Sequence, residues 1–420
     1  MKPLSAGRLP DAAPSDYILV DACSYCYGPA STVSTILDAI GAEKRSFDIV
    51  FLGTGSSLEF LQGHPAIDRI VEVNTESFSA LEQIQDVVSR ASLALVNTNP
   101  VLAIFAKQRR VPVVYVDILP WMHPEIESQI DSIRGLYDNE ARLAQIKRPQ
   151  DLLAGADKFL MQAYLTDFPV DPSIRNPIRI APLLDRHLLE RPRPGADRRR
   201  RLLISTGGLF NPDTREEALV EYARQIAEIG WEAARGAGLD EVLICGPEKL
   251  QTIIPARKAG QTSLTAARFP HSAFMEQLKN SDYIAIVPGL TSIYETFGLG
   301  IPTLLLPPTN YSQVLQTRAV IDAGLADRLA VTEGFEEICR ETARHGEIEG
   351  TGRLLRMLEE ALRGKSFRQS VRNGFERLVG TSREDAVLSK RQSFMHALGN
   401  DGAETVAKHV LGLFAPAAKT

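Results

Sequence analysis

Cysteine is scarce in this chain: four in 420 residues, at positions 23, 26, 245 and 339. That is too few, and too scattered, for a disulfide framework. Histidine is scarce too, at seven, and tryptophan occurs twice. Cys23 and Cys26 form a C-x-x-C, but a structural zinc site takes about four ligands, and no second C-x-x-C or close histidine pair accompanies them. A thioredoxin-like role fails because the surrounding strand and helix order is wrong for it. Long apolar runs are absent: none approaches the roughly 20 residues that span a bilayer. The N-terminus has early charges and no apolar core, so a secretory leader is not expected and a cytoplasmic location is. An excess of positive charge is missing as well, the formal net charge being -5. This argues against a nucleic-acid partner, which would call for a basic stripe. The dense basic run at residues 198–201, after Arg191 and Arg193, reads as solvated linker.

What is present is the mixture of a soluble globular protein, 44% hydrophobic and 24% charged. Short apolar strands alternate with helical patterns twice over, as in α/β proteins with buried parallel sheets. In the first half strands are expected at 17–22, 47–52, 67–73, 94–96, 111–116, 158–162 and 178–181, with helices at 31–40, 77–91 and 101–109. In the second, strands are expected at 202–205, 241–245, 283–287 and 303–306, with a long helix over 214–235. The expected organisation is a loose tail (1–14), a first domain (15–185), a Pro- and Arg-rich linker (186–200), a second domain (201–395), and a terminal segment (396–420) whose helix crosses back onto the first domain. Two doubly wound, Rossmann-like domains would face a central cleft with the carboxyl ends of their strands, where such sheets bind ligands.

The most informative stretch begins at Asp282. A strand runs into Pro288-Gly289-Leu290-Thr291-Ser292, and a helix follows. Gly289 lets backbone approach a ligand closely. Thr291 and Ser292 are expected to cap the helix and offer hydroxyls. Free amides and the helix dipole make that point an anion site. Glu295 lies one turn further in, where a carboxylate can accept from two vicinal ribose hydroxyls. After Gly298, Gly300 and Pro302, another strand ends at Pro307-Pro308, and Gln313 and Gln316 follow three apart. Amides suit sugar hydroxyls because each both donates and accepts.

This order of strand, Gly-x-Thr, Glu, Gly-x-Pro, strand and Gln-x-x-Gln resembles the donor motif of GT-B glycosyltransferases. It is similar to the peptidoglycan N-acetylglucosaminyltransferase and to the UDP-glycosyltransferases of natural-product pathways. The resemblance implies that Gly289, Leu290, Thr291 and Ser292 bind a diphosphate, Glu295 a ribose, and Gln313 with Gln316 the donor sugar. Gln316 stands where those families usually carry Asn. Gly207 and Gly208, after the first strand of the second half, match a loop that wraps the diphosphate, although a tight turn needs the same residues. Phe274 and Met275 stand where the backbone of similar enzymes pairs with uracil; a hydrophobic staple of the next helix is the plainer reading.

In the first half, Tyr27-Gly28-Pro29-Ala30-Ser31 matches the position of a Gly-rich loop that in GT-B enzymes often carries a histidine, absent here. Asp117, ending the β-branched strand, and His123 are the candidate general bases; a turn aspartate and a surface histidine are their plain alternatives. Tyr25, Tyr27 and Trp121 could stack on a planar acceptor beside Gly28, or simply pack. Residues 20–25 with 28–31 also resemble the cytosylglucuronate synthases, which join a free pyrimidine to glucuronic acid. Gly53-Thr54-Gly55 lacks the third glycine of a dinucleotide fingerprint and follows the second strand, not the first. The expectation is an inverting transfer from a UDP-sugar to a small-molecule acceptor, with no metal ion and no cofactor beyond that co-substrate, a homodimer being left open. A UDP-sugar 2-epimerase of the same fold, or a non-catalytic nucleotide-sugar-binding protein, are the alternatives.

Overall fold

The computed structural model describes residues 16–24, 27–41, 45–119, 156–166, 174, 176–190, 199–210, 216–326, 347–380 and 386–414. The chain divides into two units. One runs up to Leu184 and is completed by residues from Gly399 onward; the other runs from Asp185 to Leu398.

The first unit is built on seven strands: β1 (Tyr17–Ala22), β2 (Asp48–Gly53), β3 (Arg69–Glu72), β4 (Leu93–Asn97), β5 (Val113–Asp117), β6 (Lys158–Gln162) and β7 (Ile178–Ile180). Their order is β3-β2-β1-β4-β5-β6-β7, and every neighbouring pair is parallel. A parallel strand is covered on both faces, so its residues are mostly apolar, and β1 is buried at all six positions, Asp21 included. Ile18 and Val20 point toward the helix Gly28–Gly41 and the terminal helix Gly402–Phe414, which contributes Ala403, Val406, Ala407 and Val410 to that core. Tyr17 and Leu19 point the other way, into a core with Phe78, Leu81, Leu102 and Phe105. The terminal helix sits so close that a side chain at Gly402 would stand 2.1 Å from the Ala181 carbonyl oxygen.

The second unit repeats the plan with β8 (Arg201–Ser205), β9 (Glu241–Cys245), β10 (Arg257–Ala259), β11 (Thr262–Ala267), β12 (Tyr283–Ile286) and β13 (Thr303–Leu305). Their order is β10-β11-β9-β8-β12-β13, parallel except for the β10–β11 hairpin at one edge. The helix Glu216–Gly236 lays Leu219, Tyr222, Ala223 and Ile226 on this sheet beside Phe367, Val371 and Phe375 of the helix Lys365–Val379. In each sheet the chain order reverses beside the first strand, at β1/β4 and at β8/β12, the switch points where doubly wound sheets take ligands.

Several expectations need correction. The helix over 77–91 is two, Phe78–Gln83 and Gln85–Ser89, broken where Ile84 adopts φ -117 and ψ 22. The fifth strand starts at Val113, because Arg110 at φ 62 and the residues after it make the turn into the strand. A helix, Arg186–Glu190, occupies ground read as linker. Among the described residues no helix is long and apolar enough to cross a membrane.

Candidate active site

In the second unit the loops at the carboxyl ends of β8, β9 and β12 are drawn together. The Thr206 amide donates to the Cys245 carbonyl at 2.9 Å, and its hydroxyl reaches the same oxygen at 3.3 Å. A side chain at Gly246 would meet the Thr206 hydroxyl at 2.2 Å, so glycine is required there by close approach. Gly207 has φ +56, a left-handed conformation that also favours glycine, and its Cα faces Val287 at the end of β12. Gly208 is buried. The Val287 amide donates to the Ser205 carbonyl at 3.0 Å, joining the first two candidate loops side by side.

Gly289 is the N-cap of the helix Leu290–Gly298, with φ -72 and ψ 138. Thr291 and Ser292 do not cap it, contrary to expectation, because they lie inside the first turn, and a capping side chain has to stand at the position Gly289 occupies. The first intrahelical bond runs from the Ile293 amide to the Gly289 carbonyl at 2.9 Å. The amides of Leu290, Thr291 and Ser292 therefore lie in the unsatisfied first turn of a helix without a side-chain cap. A side chain at Gly289 would meet no atom of the described residues within 4 Å, so among them the space at this helix start is open. The helix Tyr311–Asp322, by contrast, is closed off: the Asn310 side chain accepts from the Gln313 amide at 2.9 Å.

Glu295 is buried one turn into the uncapped helix. Its Oε1 lies 2.9 Å from His271 Nε2, the two side chains being 3% and 4% exposed. The sequence singled out Phe274 and Met275 in this stretch and left His271 unassigned. The signal that could have found it was the histidine beginning a helix, after Pro270, in a chain with so few. Met275 is fully buried, which leaves Phe274, half-buried, as the one of those two that presents a side chain outward. Gln313 Oε1 accepts from the amide and hydroxyl of Thr309, at 2.8 and 3.1 Å, so it braces the loop after β13. Gln316 is 3% exposed, and its buried amide oxygen meets no donor among the described residues.

The first unit carries a polar network that sequence reasoning missed. Asp21, fully buried on β1, accepts from Asn99 Nδ2 at 2.6 Å, from the Thr75 hydroxyl at 3.1 Å and from the Asn97 amide at 3.3 Å. Burial pushes its carboxyl up to about 7 against these lowering bonds, and the nearby Glu76 adds to the rise. The network pins the loops after β3 and β4 to β1 at the switch point. Thr98, within the β4 loop, has φ 53, a strained backbone for a β-branched residue. The detectable signal was a carboxylate inside an apolar strand, which is tolerated only where donors surround it. Beside the network, Glu76 Oε1 accepts from the Cys23 thiol at 3.0 Å and from the Ser24 amide and hydroxyl, each at 3.4 Å.

Of the first-half candidates, Asp117 ends β5, is 2% exposed, and accepts from the Leu119 amide at 2.9 Å in a side-chain turn. Tyr27 packs its ring against Phe60, centroids 5.1 Å apart. A side chain at Gly28 would meet no atom of the described residues within 4 Å. Tyr25, Trp121 and His123 lie outside the described residues. Among the described residues no three His, Cys, Asp or Glu side chains converge as metal ligands.

No family model and no curated protein sequence matches the chain. Solved structures do match. A spinosyn rhamnosyltransferase complexed with thymidine diphosphate aligns with a TM-score of 0.60 at 13% identity, covering 94% of this chain and 99% of that one. The fold is GT-B. The glycosyltransferase of kitacinnamycin aligns with this GT-B chain at a TM-score of 0.54 and 13% identity, over 96% of this chain and 100% of that one. The calicheamicin glycosyltransferase does so at 0.51 and 16%, over 97% and 100%. At such identities the likeness establishes architecture, and chemistry has to be argued from the residues.

Proposed function

We propose that this GT-B chain is an inverting glycosyltransferase that moves a sugar from a UDP-sugar to a small-molecule acceptor without a metal ion. The observation that carries the proposal is the open, uncapped start of the helix Leu290–Gly298 at a topological switch point, with a buried carboxylate one turn inside it. Three amides left without helical acceptors, beside a glycine whose surroundings are open, suit a diphosphate, and Glu295 suits the ribose attached to it. The orphaned amide oxygen of Gln316 matches a sugar hydroxyl donor. The structural neighbours named above, sugar transferases of spinosyn, kitacinnamycin and calicheamicin, agree with a natural product as acceptor.

In this reaction a basic side chain of the first unit, carboxylate or imidazole, takes the acceptor's proton. Asp117 and Glu76 are the described candidates, and His123 is a third. The acceptor's heteroatom attacks the anomeric carbon from the face opposite UDP, and the bond from that carbon to the β-phosphate oxygen breaks. Negative charge gathers on the departing diphosphate, where fixed amides stabilise it without reorganising. Incubation with UDP-sugars, with and without an acceptor panel, tests the reading. Sugar transfer that requires acceptor supports it; epimerised UDP-sugar formed without acceptor replaces it with a 2-epimerase.

A further inference from the structure

The buried pair of His271 and Glu295 says more about the ligand than the carboxylate does alone. Glu295 is 2% exposed, and an ionised carboxylate removed from water has to be held by donors. Among the described residues the donor to its side chain is His271 Nε2, at 2.9 Å from Oε1. Its second oxygen, Oε2, accepts no bond from a described residue. His271 is the first residue of the helix His271–Lys279, and Glu295 sits inside the helix Leu290–Gly298, so the contact also ties the start of one helix to the body of the other. The carboxylate is thereby held by one oxygen, with the other left over.

We infer that His271 is a positioning residue for the nucleotide's ribose. By holding one oxygen of Glu295 it aims the other at the 2′- and 3′-hydroxyls, and so makes the site selective for ribonucleoside over deoxyribonucleoside diphosphates. This rests on the donor site proposed above. A ligand without the 2′-hydroxyl leaves a buried, immobile charge with fewer donors, and a site built around a hydroxyl rejects the analogue that lacks it. Without His271 the carboxylate can turn or take up water, and the penalty for the missing hydroxyl shrinks.

The test is calorimetric titration of the full chain with UDP and with 2′-deoxy-UDP. Wild type should prefer UDP by about 10- to 100-fold, the range for a hydrogen bond to a charged group. His271→Leu should reduce that preference to about threefold or less, while His271→Gln, whose amide can still donate to Glu295, should keep most of it. Glu295→Gln should abolish the preference, and adding His271→Leu to it should change nothing further, since the two residues act as one unit. If His271→Leu does not fold, His271→Asn, polar but too short to reach Oε1, takes its place with the same expectation. A folded Leu or Asn variant with the wild-type preference overturns the inference. Equal binding of both nucleotides by wild type also overturns it and leaves the diphosphate site standing. Binding of neither removes the donor site itself, and the inference with it.

Discussion

Replacing Asp21 with asparagine should flatten the dependence of stability on pH between the ordinary carboxyl value of 3.8 and the value of about 7 that burial imposes. In that window the folded chain keeps a proton on Asp21 that the unfolded chain has released. The group's contribution is therefore complete below 3.8 and is lost as pH rises through about 7. The slope reaches about 1.4 kcal/mol per pH unit, and the whole interval amounts to something on the order of 4 kcal/mol. The substituted side chain cannot ionise, so this contribution to the slope vanishes. Its amide meets donors from Asn99, Thr75 and Asn97, which lowers stability by roughly 1–3 kcal/mol at every pH. The readout is therefore the difference in slope and not the stability at any one pH. Urea denaturation of both proteins at about pH 5 and about pH 8 measures it, other titrating groups cancelling in the comparison. Wild type should lose a few kcal/mol more than Asp21→Asn across that range. Parallel curves would refute the assignment of a proton to the buried carboxyl.

Other substitutions probe the second unit. Gly289→Val places its side chain where no described residue comes within 4 Å, so it should cost no more than about 1 kcal/mol in a denaturant melt. It should nevertheless abolish UDP binding in a calorimeter, because on the proposed reading that space takes the diphosphate. Gly246→Ala pushes a methyl to 2.2 Å from the Thr206 hydroxyl and 2.6 Å from Leu250 Cδ1. It should lower stability by about 1–3 kcal/mol, as overpacking does, measured by the urea midpoint. Asn310→Ala removes the cap on the Gln313 amide and should cost about 1 kcal/mol by the same measurement.

The α/β order of both units was readable in the sequence because buried parallel strands are short continuous apolar runs. Tyr17–Ala22, Lys158–Gln162 and Glu241–Cys245 fall where that pattern places them. The β10–β11 hairpin escaped because Arg257–Ala259 and Thr262–Ala267 lie at a sheet edge, where one face stays wet and the composition turns polar. The break at Ile84 carries no proline or glycine to announce it. The loop of Gly289 and the carboxylate of Glu295 were legible because turn chemistry and helix spacing are local. The pairing of Glu295 with His271, 24 residues apart in sequence, is set by how two helices pack. Asp21, Thr75 and Asn99 meet for a similar reason, drawn from three separate strand ends by the order of the sheet.

The central claim, that the Leu290–Gly298 helix start and Glu295 hold a nucleotide sugar, is tested most directly by ligand-induced stabilisation. The full chain and Glu295→Ala are titrated with UDP-, dTDP- and GDP-sugars while the thermal midpoint is followed. A ligand that binds only the folded state stabilises it by about 2.7 kcal/mol at a hundred times its Kd. The account predicts a rise in the wild-type midpoint with a UDP-sugar, reduced or lost in Glu295→Ala. An unmoved midpoint with every nucleotide sugar, or an equal rise in the variant, would contradict it.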